Sequence, residues 1–109
     1  MTGYPDQAAA VAATLADLDA RPNDRVLIML PDGPDFAAAF AGVIQHGAVP
    51  LPVNPLLPAH DIMTLADQAS AHLILASADQ IDALANLSTQ PPVPMNGPQG
   101  PWAALLRLR

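Results

Sequence analysis

Residues 24–58 read DRVLIMLPDGPDFAAAFAGVIQHGAVPLPVNPLLP, and this stretch decides the fold of the chain. It contains two apolar runs, Val26–Leu30 and Ala48–Val53, each bounded by turn-forming residues. Short continuous apolar runs between turn signals are typical of buried β-strands. We therefore expect a strand at each end of this stretch.

The segment between the two runs has the period of a helix. Its large apolar residues recur at i, i+4, i+7 and i+8, which is one helical face: Phe36, Phe40, Val43 and Ile44. Pro34 suits the first helical turn, where its missing N–H is no loss. Gly47 suits the residue just past the helix, where a positive φ is needed. The order predicts a right-handed strand–helix–strand unit with parallel strands.

The rest of the chain up to residue 87 extends this unit. Apolar residues at helical spacing predict further helices at residues 6–20, 59–70 and 78–87. Ser77 is a residue type that favours the N-cap of the last helix. Because the strands are almost wholly apolar, both faces of the sheet should be covered by helices. The prediction is an α/β fold with four helices and a small three-stranded parallel sheet, its strands at about residues 25–30, 48–53 and 72–76.

The end of the chain has a different composition. Residues 88–101, STQPPVPMNGPQGP, contain five prolines and two glycines, which predicts a loop or linker rather than helix or sheet. Residues 102–109 form a short apolar tail, Trp102–Arg109, that either docks on the core or leads into a longer chain. The expected organisation is an α/β subdomain at residues 1–87, followed by this linker and this tail.

Composition excludes several classes of function. The chain has 109 residues, a formal net charge of −6, no lysine and no cysteine, and its four basic residues other than histidine are all arginine. Binding to nucleic acid or to an anionic membrane surface needs clustered positive charge, so we expect neither partner. No secretory leader is visible, and no apolar run approaches the roughly 20 residues that span a bilayer. We expect a cytoplasmic protein.

The histidines do not form a metal-ligand pattern. His46 ends the helix of the central unit, His60 falls in the first turn of the next helix, and His72 begins the third strand. Zinc sites need several convergent ligands, and these three residues belong to three different elements. The expectation is no metal site.

The aspartates are better explained by helix ends than by catalysis. Two pairs of aspartates could suggest acid/base carboxylates: Asp32 with Asp35, and Asp79 with Asp82. Each pair flanks or opens a helix, however, where negative charge is favourable. The turn at residues 32–34 follows a strand and precedes a helix, as phosphate loops do. It lacks the repeated glycines and the lysine of those loops, so we interpret it as a turn.

The central stretch resembles the N-terminal segment of the acyl-CoA synthetases and the wider family of adenylate-forming, AMP-dependent ligases. The resemblance is carried by Asp24-Arg25-Val26, by residues 31–36 (PDGPDF), by Gly47-Ala48 and by residues 49–55 (VPLPVNP). It implies a partial N-terminal subdomain of an enzyme that converts a carboxylic acid and ATP into an acyl-adenylate, then commonly into a CoA thioester. ATP, Mg²⁺ and CoA are thereby implied for the full-length family.

The resemblance does not extend to the family's chemistry. Those ligases hold ATP with a Ser/Thr/Gly-rich loop ending in Pro-Lys-Gly and use a lysine from a C-terminal domain, whereas this sequence contains no lysine. We therefore expect no catalytic, cofactor-binding or metal-binding residue in this chain.

Three hypotheses follow from this expectation. The first is a scaffold fragment of an acid-activating ligase, whose partner is the remainder of a split enzyme. The second is a non-catalytic interaction or regulatory module that self-associates, through a sheet edge or an alanine-rich helix face, or docks on a partner chain. An independent small enzyme is the weakest hypothesis, because no nucleophile–base constellation stands out.

Overall fold

The computed structural model describes residues 4–87, 90–97 and 100–108. The side chains of residues 4–6, 87 and 97 are outside this description. The elements, in chain order, are α1 (Tyr4–Asp17), β1 (Arg25–Met29), α2 (Pro34–His46), β2 (Val49–Pro52), α3 (Ala59–Ala69), β3 (Leu73–Ser77), α4 (Ala78–Leu84) with a 3₁₀ turn (Ala85–Leu87), β4 (Val93–Gly97) and β5 (Gly100–Arg107).

The strands form one sheet in the order β2-β1-β3-β5-β4. β1 pairs in parallel with both β2 and β3, as the central stretch predicts. β5 runs antiparallel to β3, and β4 runs antiparallel to β5. The α/β fold class and the four helices are therefore present, but the sheet is mixed and five-stranded. The expectation of a three-stranded parallel sheet is wrong.

The two additional strands come from the segment expected to be a linker and a tail. Val93–Gly97 forms β4 and Gly100–Arg107 forms β5, whose residues 103–106 are buried between β3 and β4. Proline is tolerated in an edge strand because a missing N–H there costs no ladder bond, and Pro94 is exposed on the edge strand β4. The other residues of the predicted linker and tail, 88–89, 98–99 and 109, lie outside the described part of the chain.

A β-bulge in β5 sets the direction of Trp102. Met95 pairs with Ala103, but Asn96 pairs with Pro101, so β5 carries one residue more than β4 at this point. An extra residue breaks the alternation of side chains along a strand. Trp102 accordingly packs on the same core cluster as Ala103, its neighbour in sequence.

Helices cover both faces of the sheet, as the apolar strands predict. On one face, α1 and α2 pack with alternate strand residues such as Val26 and Ile28. On the other face, α3 and α4 pack with the intervening residues, such as Leu27 and Met29. This alternation is why each central strand reads as a continuous apolar run.

The observed helix ends agree in part with those predicted from the sequence. Pro34 and Gly47 occupy the predicted positions, and Gly47 has φ 99°. The first helix ends at Asp17 rather than residue 20, because Asp19 adopts a left-handed conformation (φ 60°) and the chain reverses there. Ser77 stands at the N-cap of α4, but its side chain makes no capping hydrogen bond.

The outer edge of β2 is poor in hydrogen-bond donors. The N–H groups of Val49 and Val53 donate to the carbonyl oxygens of Asp24 and Ile28 beside β1, at 2.8 and 3.0 Å. The backbone N–H positions of successive strand residues point to alternate sides of the strand. Those of residues 50 and 52 therefore point away from β1, and both residues are proline. The free side of β2 therefore offers no N–H at these positions.

Candidate functional site

The carboxyl edge of the parallel strands contains a topological switch point. The chain leaves β1 for α2 on one face of the sheet, and it leaves the neighbouring strand β3 for α4 on the other face. Open α/β sheets bind ligands in the crevice outside such a point. This crevice is the candidate functional site.

Two adjoining hollows form the crevice. The smaller, of about 260 Å³, is lined by residues 30–35 and Ser77. The larger, of about 420 Å³, lies between the ends of β1 and β2 and is lined by residues 30–32, Phe36 and residues 52–55. These lining residues include two aspartates and no lysine, arginine or histidine.

The two carboxylates of the crevice are exposed and do not form a buried acid/base pair. Asp35 lies in the first turn of α2, and its Oδ1 accepts a hydrogen bond of 3.2 Å from Nε2 of Gln7 in α1. Asp32 precedes the helix and lines both hollows. Asp79 and Asp82 are exposed on α4 and line neither hollow. Asp35 and Asp79 occupy first turns, as the helix-end interpretation predicts.

The turn at residues 32–34 begins a helix and offers few groups to an anion. Gly33 is the N-cap of α2, with φ 148° and no side-chain capping bond. Pro34 follows it and has no N–H, and the Gly33 carbonyl accepts the N–H of Ala37 at 3.1 Å. A phosphate loop presents several consecutive N–H groups, and proline removes one of those groups here.

One side chain that binds two lining residues of the crevice was missed by the sequence analysis. Gln80 in α4 donates from Nε2 to the Pro55 carbonyl oxygen at 2.6 Å, which ties the loop after β2 to the helix after β3. Its Oε1 accepts from the Ser77 hydroxyl at 3.4 Å. The first bond spans 25 residues of sequence, so no local pattern indicates it.

The histidines are partly brought together, at the opposite edge of the sheet. His46 Nε2 lies 2.7 Å from the Ala20 carbonyl oxygen, and His72 Nδ1 lies 3.7 Å from Asp24 Oδ1. Both line one groove, whereas His60 is exposed beside Asp61 on α3. Within residues 4–87, 90–97 and 100–108, no group of three or more histidine and acidic side chains is placed to hold a metal ion.

Comparison with known sequences decides the family. The sequence pattern of a family described as AMP-binding enzyme matches residues 4–98. The chain belongs to this family. Within the AMP-binding enzymes, it is similar to 4-coumarate–CoA ligase 2 of Nicotiana tabacum, with 33% identity over 72 residues. It is also similar to the benzoate–CoA ligase of Thauera aromatica, with 32% identity over 74 residues.

The chain corresponds to a small part of these AMP-binding enzymes. The two alignments cover 66% and 68% of this chain but only 13% and 14% of the relatives. The similarity thus concerns one segment of a much larger ligase.

Solved structures of AMP-binding enzymes share the fold. A benzoate CoA ligase from Burkholderia xenovorans LB400 superposes with a TM-score of 0.64 at 27% identity, covering 72% of this chain and 16% of that one. The N-terminal domain of FACL13 from Mycobacterium tuberculosis superposes with a TM-score of 0.65 at 24% identity, covering 77% of this chain and 21% of that one.

Across the described part of the chain, no helix is both long and apolar enough to cross a membrane.

Proposed function

We propose that the chain is the scaffold segment of an ATP-dependent ligase that activates a carboxylic acid as an acyl-adenylate, and that it does not catalyse this reaction alone. The family match over residues 4–98 supports membership of such an enzyme. The activity belongs, in this proposal, to an assembled ligase in the cytoplasm that also holds ATP, Mg²⁺ and CoA.

One observation carries the non-catalytic part of the proposal: the residues lining the switch-point crevice include two aspartates and no cationic side chain. Adenylyl transfer places negative charge on phosphate oxygens, and catalysis depends on fixed positive groups or Mg²⁺ around them. Exposed Asp32 and Asp35 repel a triphosphate unless other groups intervene. The crevice therefore needs cations from outside this chain.

The scaffold role follows from how the crevice is built. Its lining includes the buried Leu30 after β1 and Ser77 at the end of β3, and the Gln80–Pro55 hydrogen bond joins the loop after β2 to α4. Such a rigid edge positions a second structural unit without contributing reactive groups. In this proposal, the remainder of the ligase packs over the crevice.

We further propose an aromatic carboxylic acid as the substrate of the assembled ligase. The names of the curated relatives specify 4-coumarate, benzoate and hydroxybenzoate. Relatives among solved structures include a fatty acyl-adenylate ligase of L. pneumophila, at 30% identity, so a fatty acid is the competing class.

The adjacent genomic DNA tests the split-enzyme form of this proposal. A neighbouring frame that encodes a Ser/Thr/Gly-rich loop ending in Pro-Lys-Gly supports it, and unrelated sequence contradicts it. Where that frame is present, the two chains are expressed together and assayed for CoA thioester formation with 4-coumarate, benzoate and a fatty acid. We expect CoA thioester formation by the two chains together and by neither chain alone. We also expect an aromatic acid to be the preferred substrate.

A second candidate function is a stand-alone interaction module. Two large apolar side chains favour it: Leu56 is 86% exposed in the loop beside the crevice, and Ile44 is 53% exposed on α2. A module of this kind folds by itself and unfolds cooperatively. Circular dichroism with gel filtration of the 109-residue chain tests this, and an aggregated or unfolded chain contradicts it.

A further inference from the structure

A charged groove lies at the amino edge of the parallel strands, opposite the crevice. It has a volume of about 880 Å³ and is formed by the end of α1 and its following loop, the end of α2, the start of β3 and the end of β5. Its lining residues are Ala16, Asp19, Ala20, Arg21, Pro22, Asp24, His46, His72 and Arg107. This groove shares no residue with the two hollows of the crevice.

The groove concentrates the positive charge of an acidic chain. The whole sequence has four arginines and three histidines against ten aspartates. Two of those arginines and two of those histidines line this groove. A third arginine, Arg25, begins β1 nearby, but its Nη1 donates to the Ala69 carbonyl oxygen at 2.9 Å and it does not line the groove.

The two groove arginines have free guanidinium groups as far as the described residues show. Within the described residues, neither the Arg21 nor the Arg107 guanidinium has a hydrogen-bond or ion-pair partner. Arg107 is half-buried, and Arg21 is exposed. Partial burial of an unpaired charge is unfavourable, so an anion that pairs with Arg107 relieves this cost.

One groove carboxylate is already engaged. Asp24 Oδ2 accepts the backbone N–H of Arg21 at 2.8 Å, and its Oδ1 lies 3.7 Å from His72 Nδ1. The position of His72 is fixed by backbone bonds on both sides, from its N–H to the Arg25 carbonyl and from the Leu108 N–H to its own carbonyl, each 2.9 Å. Asp19 is the remaining acid in the lining.

We propose that this groove binds a phosphate-type oxyanion, either free or as the terminal group of a larger molecule. A guanidinium fork matches the oxygens of such an anion in a bidentate geometry, and the His72 side chain lines the same groove. The small apolar lining residues, Ala16, Ala20 and Pro22, leave room for an organic portion.

Sulfate is the first probe, because it stays a dianion between pH 6 and pH 8. The full chain is titrated at constant ionic strength, and backbone amide shifts are followed by NMR. We expect saturable shifts at groove residues. Absence of saturable shifts, or saturable shifts only at other residues, overturns the proposal.

Three charge-removing variants locate the site. Arg107→Gln and Arg21→Gln should each weaken sulfate binding about tenfold, the loss of one charge-assisted contact. Arg25→Gln removes the same charge outside the groove and should change affinity less than about twofold. Equal weakening by all three variants shows general charge attraction and overturns the proposal. Arg21 lies in an exposed loop, so its variant keeps the test valid if Arg107→Gln does not fold.

Two further probes distinguish the sources of the anion. Inorganic phosphate represents the free ion, and phenyl phosphate represents the terminal group of a larger molecule. Tighter binding of phenyl phosphate supports the second source, and equal or weaker binding supports the first. If neither inorganic phosphate nor phenyl phosphate competes with sulfate, the proposal of a phosphate-type site in the groove is wrong. That result leaves the scaffold proposal untouched.

Discussion

Gly42 in α2 lies directly against Ala8 in α1. A β-carbon placed on Gly42 would lie 2.6 Å from the Ala8 carbonyl oxygen and 2.6 Å from the Val11 β-carbon. Real β-carbons are not found this close to other heavy atoms. The absence of a side chain at residue 42 is therefore what allows the two helices on this face of the sheet to approach.

Gly42→Ala should destabilise the chain. In a free helix, alanine is favoured over glycine by about 1 kcal/mol. Overpacking a close contact costs about 1 to 3 kcal/mol, and the Ala8 carbonyl belongs to a helical backbone that cannot rotate away. Because the clash is with backbone, we expect the upper part of that range, which leaves a net loss of about 1 to 2 kcal/mol in the free energy of unfolding, measured by urea denaturation. Gln45→Ala, at an exposed position of the same helix, should be nearly neutral.

Leu105→Ala should be among the more destabilising substitutions in the chain. Leu105 is fully buried in β5 between β3 and β4, and truncation of a buried leucine costs about 2 to 5 kcal/mol. The chain has one tryptophan, Trp102 in the same strand, so its fluorescence reports unfolding of this strand directly.

Leu56→Ala is the matched control for that experiment. The same atoms are removed from a side chain that is 86% exposed, and stability should change by less than about 0.5 kcal/mol. If the two leucine variants were equally stable, the packing of β5 in the sheet would contribute little to stability, which contradicts this account of the fold.

Restoring donors to the outer edge of β2 should promote self-association. Pro50 and Pro52 leave this edge without two N–H groups, and exposed strands with complete donors pair with other chains. The double variant Pro50→Val and Pro52→Val should form dimers or larger species at concentrations where the parent chain does not. Sedimentation velocity measures the difference.

Pro91→Val is the control for the edge prolines, because Pro91 is exposed and precedes β4. It should leave the sedimentation behaviour unchanged. The sequence predicts that the parent chain associates through a sheet edge, and this stays a prediction. The two prolines of β2 make the outer edge of β2 unfavourable for such association. If the double variant sediments like the parent, the prolines do not protect the edge.

Local sequence signals were sufficient for the central unit. The apolar runs, Pro34 and Gly47 each act within a few residues, so the order of β1, α2 and β2 could be predicted. The β4–β5 hairpin could not, because β5 is specified by its pairing with β3, as between Leu73 and Arg107. Pro94 is tolerated because β4 lies at an edge, a property that belongs to the whole sheet.

The same reasoning applies to the candidate sites. The helix-opening position of Asp35 follows from its neighbours in sequence. The Gln80–Pro55 bond and the placement of His46 and His72 along one groove depend on how distant elements are arranged. A usable signal existed for part of the groove: Asp24 precedes β1 and His72 precedes its parallel neighbour β3. The amino ends of parallel strands meet at one edge.

The proposed role of this chain is the scaffold of an acid-activating ligase without its catalytic groups. ATP–pyrophosphate exchange by the purified, folded 109-residue chain is the decisive measurement, across a panel that includes 4-coumarate, benzoate and a long-chain fatty acid. We predict no acid-dependent exchange above the blank, while a complete CoA ligase in the same assay is active. Acid-dependent exchange by this chain alone would contradict the claim.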